Sequence, residues 1–196
     1  MPSIALLAWQ SERATRLNDW FGFHADTLAA GGKSAVITRL EQGGASFLVA
    51  EFQGFCKELH EEAATQLAAI LAPHSRWGRQ AVRLAAVTSR KLDQSNPSPG
   101  VLGHDFSMFD VSLWDALEDL HPKRKPEWHE ALETLIWARN GINHDDADQL
   151  SKAAAAGWAV EPRTLERWRV ALDELAKAMD HVVGDNLHAN LGVRPW

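Results

Sequence analysis

The segment Arg139-Asn140-Gly141-Ile142-Asn143-His144 sets a guanidinium and an imidazole five positions apart. Arginine offers a planar fork of donors suited to oxyanions and stays charged at any working pH. Histidine titrates near neutrality and can serve as base or acid. The R-x4-H spacing occurs a second time, from Arg124 to His129, but there a proline-bearing loop leads in and no apolar helix positions the arginine. Arg139 is different. Trp128, Leu132, Leu135, Arg139 and Ile142 recur at steps of four, three, four and three, so the guanidinium takes a slot on the inward stripe of an amphipathic helix. A charge in that place is expensive to bury alone and requires an anion or a carboxylate. The same residues also permit a structural reading, in which Arg139 is a satisfied structural arginine and His144 begins the next helix.

A second set of residues carries charge in a pattern. From Pro73 to Leu92 there is no acidic residue, while Arg76, Arg79, Arg83, Arg90 and Lys91 are present, and the four arginines fall on one helical face. That is the form of a stripe that tracks phosphates, and also of a solvated face or one paired with acids elsewhere. Lys123-Arg124-Lys125 adds a further basic point. Three other constellations are set aside. His181, Asp185 and His188 share a face of the last helix but are weak as a metal site. Cys56 and His60, four apart, read as packing. Asp145, Asp146 and Asp148 suit the first turn of a helix. There is no glycine-rich phosphate loop, and no metal or cofactor is expected.

The elements that must hold these groups are helices. No stretch sustains the alternation of a strand, so the fold class is all-α: a single-domain bundle of about six helices over 1–196. Helices are expected from about Glu12 to Leu28, from Ser34 to Leu71 with a break at Gly43-Gly44, and from Arg76 to Leu92. An irregular connection through Asn96 to Gly103 leads to a short helix near Leu113 to Leu120, and His104-Asp105, in this long loop, reads as a surface pair or as part of a cleft lining. Pro126 suits the first turn of the motif helix, which Asn140-Gly141 can end or kink. A helix through Ala156 and a last helix follow. In the latter, Leu165, Trp168, Leu172, Leu175, Met179 and Val182 form a seam fit for core or a subunit interface.

Bulk properties narrow the classes. The 196 residues carry 20 Lys+Arg against 26 Asp+Glu, a formal charge of −6. Such a balance opposes a coat of positive charge but allows one local basic cleft. A lone cysteine excludes an internal disulfide framework and makes the cytoplasm the default location. The start MPSIALLAWQSER lacks a basic n-region, and no apolar run reaches the length of a membrane span, so neither a signal peptide nor membrane association is expected.

Arg139-Asn140 to His144, set between helices of a small all-α chain, resembles the signature of the HEPN superfamily. The stretch from LWDALEDL through RNGINHDD to TLERWRVALDELAKAMD resembles its RiboL-PSP-type bacterial members, and the likeness extends over about 44–190, leaving 1–43 as a helical extension. The resemblance implies a metal-independent endoribonuclease, a homodimer with both motifs facing one cleft, RNA as substrate, and a toxin or phage-defence role with a cognate antitoxin. It implies that His144 acts as acid or base, that Arg139 stabilises the phosphate, and that Asn140 and Asn143 orient the histidine or bind RNA. Glu51, at the edge of the long helix's apolar stripe, is then a candidate to hold Arg139, and it reads equally as a solvated boundary glutamate like Glu58 and Glu62. Some members are inactive, so a non-catalytic dimerisation or interaction module is the alternative. One difficulty is geometric: five residues along a helix turn by about 140°. A kink at Asn140-Gly141, the reach of arginine, or a dimer would have to bring the pair together.

Overall fold

Each predicted apolar stripe becomes a helix. The computed structural model describes residues 1–192 and 194–196, and among them there is no strand. Ile4–Ala8, the π-helical Trp9–Arg13 and Ala14–Ala29 follow one another without interruption and form one helix, α1. It begins well before Glu12, because its first turn is capped by groups the apolar pattern does not report. The Ser3 hydroxyl accepts from the Leu6 N–H at 2.9 Å, and the Glu62 carboxylate accepts from the Ile4 and Ala5 N–H groups, each at 3.1 Å.

Seven helices follow: α2 (Ser34–Leu71), α3 (Arg76–Thr88), α4 (Pro99–Phe106), α5 (Leu113–Leu120), α6 (Lys125–His144), α7 (Ala147–Ala155) and α8 (Pro162–Leu191). Among the described residues eight α-helices therefore stand where about six were expected. The expected breaks at glycine do not occur. α2 runs through Gly43-Gly44, and Gly44 is a contact point instead: a methyl there would collide with the Trp20 ring of α1. α6 likewise runs through Asn140-Gly141 to His144. Conversely, the stretch from Asn96 to Gly103 is not irregular throughout. Ser98 caps α4, accepting from the Val101 N–H at 3.4 Å, and Pro99 fills the first turn, where its missing N–H leaves no bond unmade.

The centre of the bundle is α2, α6 and α8. Leu48, Phe52, Phe55 and Leu59 meet Leu132 and Leu135 and the seam from Leu165 to Val182, all of them buried. The seam is thus core. Burying each such large side chain contributes on the order of 1.5–3 kcal/mol, so packing fixes α6 and α8 before any polar contact at their ends counts. Leu6, Trp9 and Leu17 of α1 enter the same cluster, and Trp9 Nε1 donates to Asp173 at 2.9 Å. Residues 1–43 are therefore part of one core. α3 stands apart, packing chiefly against α2.

Candidate active site

α6 ends because Asp145 turns left-handed, with φ of 53°. Asp146 then caps α7, its carboxylate accepting from the Asp148 and Gln149 N–H groups at 3.0 and 3.3 Å. Asp145 and Asp146 thus lie between helices, and Asp148 is the acid in the first turn of α7. So tight a reversal needs a bare backbone at Gly141. A methyl there would sit 2.7 Å from Leu150 Cγ and 2.9 Å from the Asp146 carbonyl oxygen.

Between α6, α7, the middle of α2 and the segment 93–98 lies a cleft of about 890 Å³. Arg139, Asn140 and His144 all line it, with Gln53, Asn96, Trp137 and Gln149 among the other walls. At about 100° per residue, Ile136, Asn140, His144 and Trp137 fall in a sector of about 100°, and Arg139 stands about 60° outside it. Arginine's reach closes that gap within one chain: Nη1 donates to Asn140 Oδ1 at 3.3 Å.

Amides hold the guanidinium. Asn140 Oδ1 also accepts from Asn96 Nδ2 at 2.8 Å. With the Asn143 amide turned so that its oxygen faces the arginine, that oxygen accepts from Arg139 Nε at 3.0 Å and Nη2 at 3.3 Å. The arginines with a carboxylate partner are Arg13, Arg16, Arg90, Arg124 and Arg169; among the described residues Arg139 has none. A guanidinium fixed by neutral acceptors keeps its charge for an anion. The cleft's own acids are occupied. Asp93 receives Arg90 at 2.9 Å and Lys57 at 3.0 Å, and the Arg90 hydrogen bond above all holds its carboxyl below the usual range. Asp146 is engaged by backbone N–H groups.

Several expected roles are corrected. Glu51 does not hold Arg139. Its buried carboxylate receives Arg16 at 2.7 Å and Arg13 at 2.8 Å, and the Arg16 hydrogen bond leads in keeping it below its ordinary pKa. It points toward α1, a helix outside the region of resemblance. Of the arginine stripe, Arg90 is buried and bound to Asp93, Glu61 and the Lys57 carbonyl. Arg79 donates to the Pro73 carbonyl at 2.6 Å, capping the end of α2. Arg76 and Arg83 remain exposed, and none of the four lines the cleft. Asp105 is no surface residue: its carboxylate is buried and staples the turn at Lys91 and Leu92 by accepting their N–H groups at 2.9 and 2.8 Å. His104 is exposed. Cys56 and His60 are both buried in the core. His181 pairs with Asp185 at 3.1 Å, and among the described residues no group of three donors is arranged to hold a metal ion.

Gln53 and Asn96 carry no local signal, since glutamine in a helix and asparagine before proline are ordinary surface residues. Their role is visible only in space. Gln53 Nε2 donates to the Leu92 and Ser95 carbonyls at 2.6 and 3.0 Å, which holds the segment bearing Asn96 against the motif. No protein-family model matches this chain, and no curated protein and no solved structure shows a match to it.

Proposed function

We propose that this protein is a metal-independent endoribonuclease of the HEPN type, working as a homodimer and serving as a toxin or phage-defence effector restrained by an antitoxin. One observation carries the reading: Arg139, which among the described residues has no carboxylate partner, and His144 line the same polar cleft. In the reaction, neutral His144 takes the proton from the ribose 2′-OH and O2′ attacks the adjacent phosphorus. Arg139 faces the charge that grows on the non-bridging oxygens. The 5′-oxygen leaves with a proton, giving a 2′,3′-cyclic phosphate and a free 5′-OH. A single imidazole cannot give and take in one step, so the second His144 of the dimer supplies that acid.

The test is cleavage of mixed RNA in EDTA by wild type, Arg139→Ala, Arg139→Lys and His144→Ala proteins. Loss of cleavage in the alanine variants and severe loss in Arg139→Lys are expected, because a point charge does not replace a bidentate fork. Cleavage that persists in folded variants, or a wild type that cleaves no RNA, overturns the reading.

A further inference from the structure

α3 presents a face that nothing in the fold covers. Ala86 is its buried residue, and Trp77 and Leu84, one heptad apart, lie almost opposite to it on the helix. Trp77 is 86% exposed and Leu84 60%, and among the described residues no other Trp or Phe ring is as exposed as Trp77. Arg76 and Arg83 stand along one edge of this ridge, also exposed and about 10 Å apart at 1.5 Å per residue. Among the described residues neither forms an ion pair, nor do Arg79 and Lys91. Four uncompensated cations thus gather on and just after one element of a chain whose net charge is −6.

We propose that this outer face of α3 is a binding site for single-stranded RNA, separate from the cleft, in which Trp77 stacks on a base while Arg76 and Arg83, along one edge of the ridge, meet successive phosphates of the strand. An exposed aromatic beside a row of arginines is the arrangement by which sequence-tolerant single-strand sites work: the ring takes any base face and the cations track the backbone. A lipid surface fits less well, because beyond Trp77 and Leu84 the outer ridge offers only Ala81, Gln80 and Thr88, too little apolar area for an interfacial helix. The choice of RNA among polyanions rests on the ribonuclease reading. The site would hold long substrates on the protein without taking part in the chemistry.

The experiment measures binding of a short, uncleavable 2′-O-methyl RNA to wild type, Trp77→Ala and the double variant Arg76→Ala/Arg83→Ala, across a salt series. Trp77→Ala is expected to weaken binding about ten-fold, since one stacked base is worth about 1–3 kcal/mol. The double variant should lower the salt slope by about 1.4, because each phosphate left without its arginine takes away about 0.7. The Trp77 effect should vanish when the RNA is annealed to its complement, because its bases are then stacked away. Cleavage of a dinucleotide by Trp77→Ala should match wild type. A wild type that binds the RNA at Trp77 yet cleaves nothing leaves this site standing and removes the nuclease. Full cleavage of long RNA with unchanged affinity in both variants removes this site alone. A Trp77→Ala effect that appears instead on anionic vesicles, or as loss of self-association in light scattering, overturns the proposal.

Discussion

Asn96 donates its amide to the Asn140 oxygen across 2.8 Å, and that same oxygen accepts from Arg139. Two segments far apart in sequence thereby share one acceptor beside the motif. Asn140→Ala removes that acceptor from both. Cleavage should fall by at least about ten-fold, mostly in kcat, while stability falls by about 1 kcal/mol, the worth of ordinary hydrogen bonds. Asn96→Ala should show a smaller loss, because Asn140 and Asn143 still hold the guanidinium. Kinetics and thermal melts of the two variants check the ordering.

Gly141→Ala places a methyl against Leu150 Cγ and the Asp146 carbonyl. The backbone oxygen cannot move without moving α7, so the substitution should destabilise by about 1–3 kcal/mol. At this size that is a melting shift of roughly 2–4 °C per kcal/mol. Asp146 and Gln149 are carried on the displaced element, and cleavage should fall further than the melt alone implies.

Glu51→Ala separates the sequence expectation from the observed role. Removing a buried carboxylate leaves Arg13 with Glu58 alone and the half-exposed Arg16 without its partner, and a loss of about 1–3 kcal/mol is expected. Cleavage per folded molecule at a temperature where both proteins are native should be unchanged. A Glu51 that held Arg139 would give the opposite pattern. The depressed carboxyl also fixes the sign with pH: the stabilisation is present above the ordinary carboxylate pKa and is lost as pH falls through the lowered one.

His60 is enclosed by the Phe106 and Phe109 rings, and among the described residues neither ring nitrogen has a hydrogen-bond partner. Burial pushes its pKa from 6.5 to about 4. Unfolded chains then take up a proton that the folded protein refuses, so stability is whole above about pH 6.5 and declines toward pH 4, by about 3 kcal/mol in all. His60→Leu should abolish that decline and equal or exceed wild type at pH 7, because no hydrogen bond is lost. Denaturant midpoints measured from pH 4 to 7 decide it.

The sequence by itself determined the helices that carry an apolar stripe, and their inward faces, but not α4, which falls where an irregular connection is expected. Stripes such as Trp128 to Ile142 and Leu165 to Val182 need only a period of 3.6 residues, a local property that the chain displays openly. It also determined which residues are equipped for chemistry, since the guanidinium and imidazole types of Arg139 and His144 do not depend on the fold. Helix ends were less legible. Ser3, Glu62 and Ser98 act through caps, one of them from another helix, and the glycines at 44 and 141 answer to neighbours that close against them rather than to a break in their own helix.

Tertiary structure alone decided who meets whom. Glu51, Glu58 and Glu62 look alike on α2, and all three meet α1 rather than the motif, Glu51 and Glu58 through Arg13 and Glu62 at the first turn of α1. Arg76, Arg79, Arg83 and Arg90 look alike on one face, yet two serve the fold and two remain in water. Asn96 and Gln53 became part of the cleft only when α4 and α6 packed on α2. The physical reason is one of range: periodicity and residue chemistry act over a few positions of chain, whereas the pairing of a charge depends on which elements the apolar core presses together.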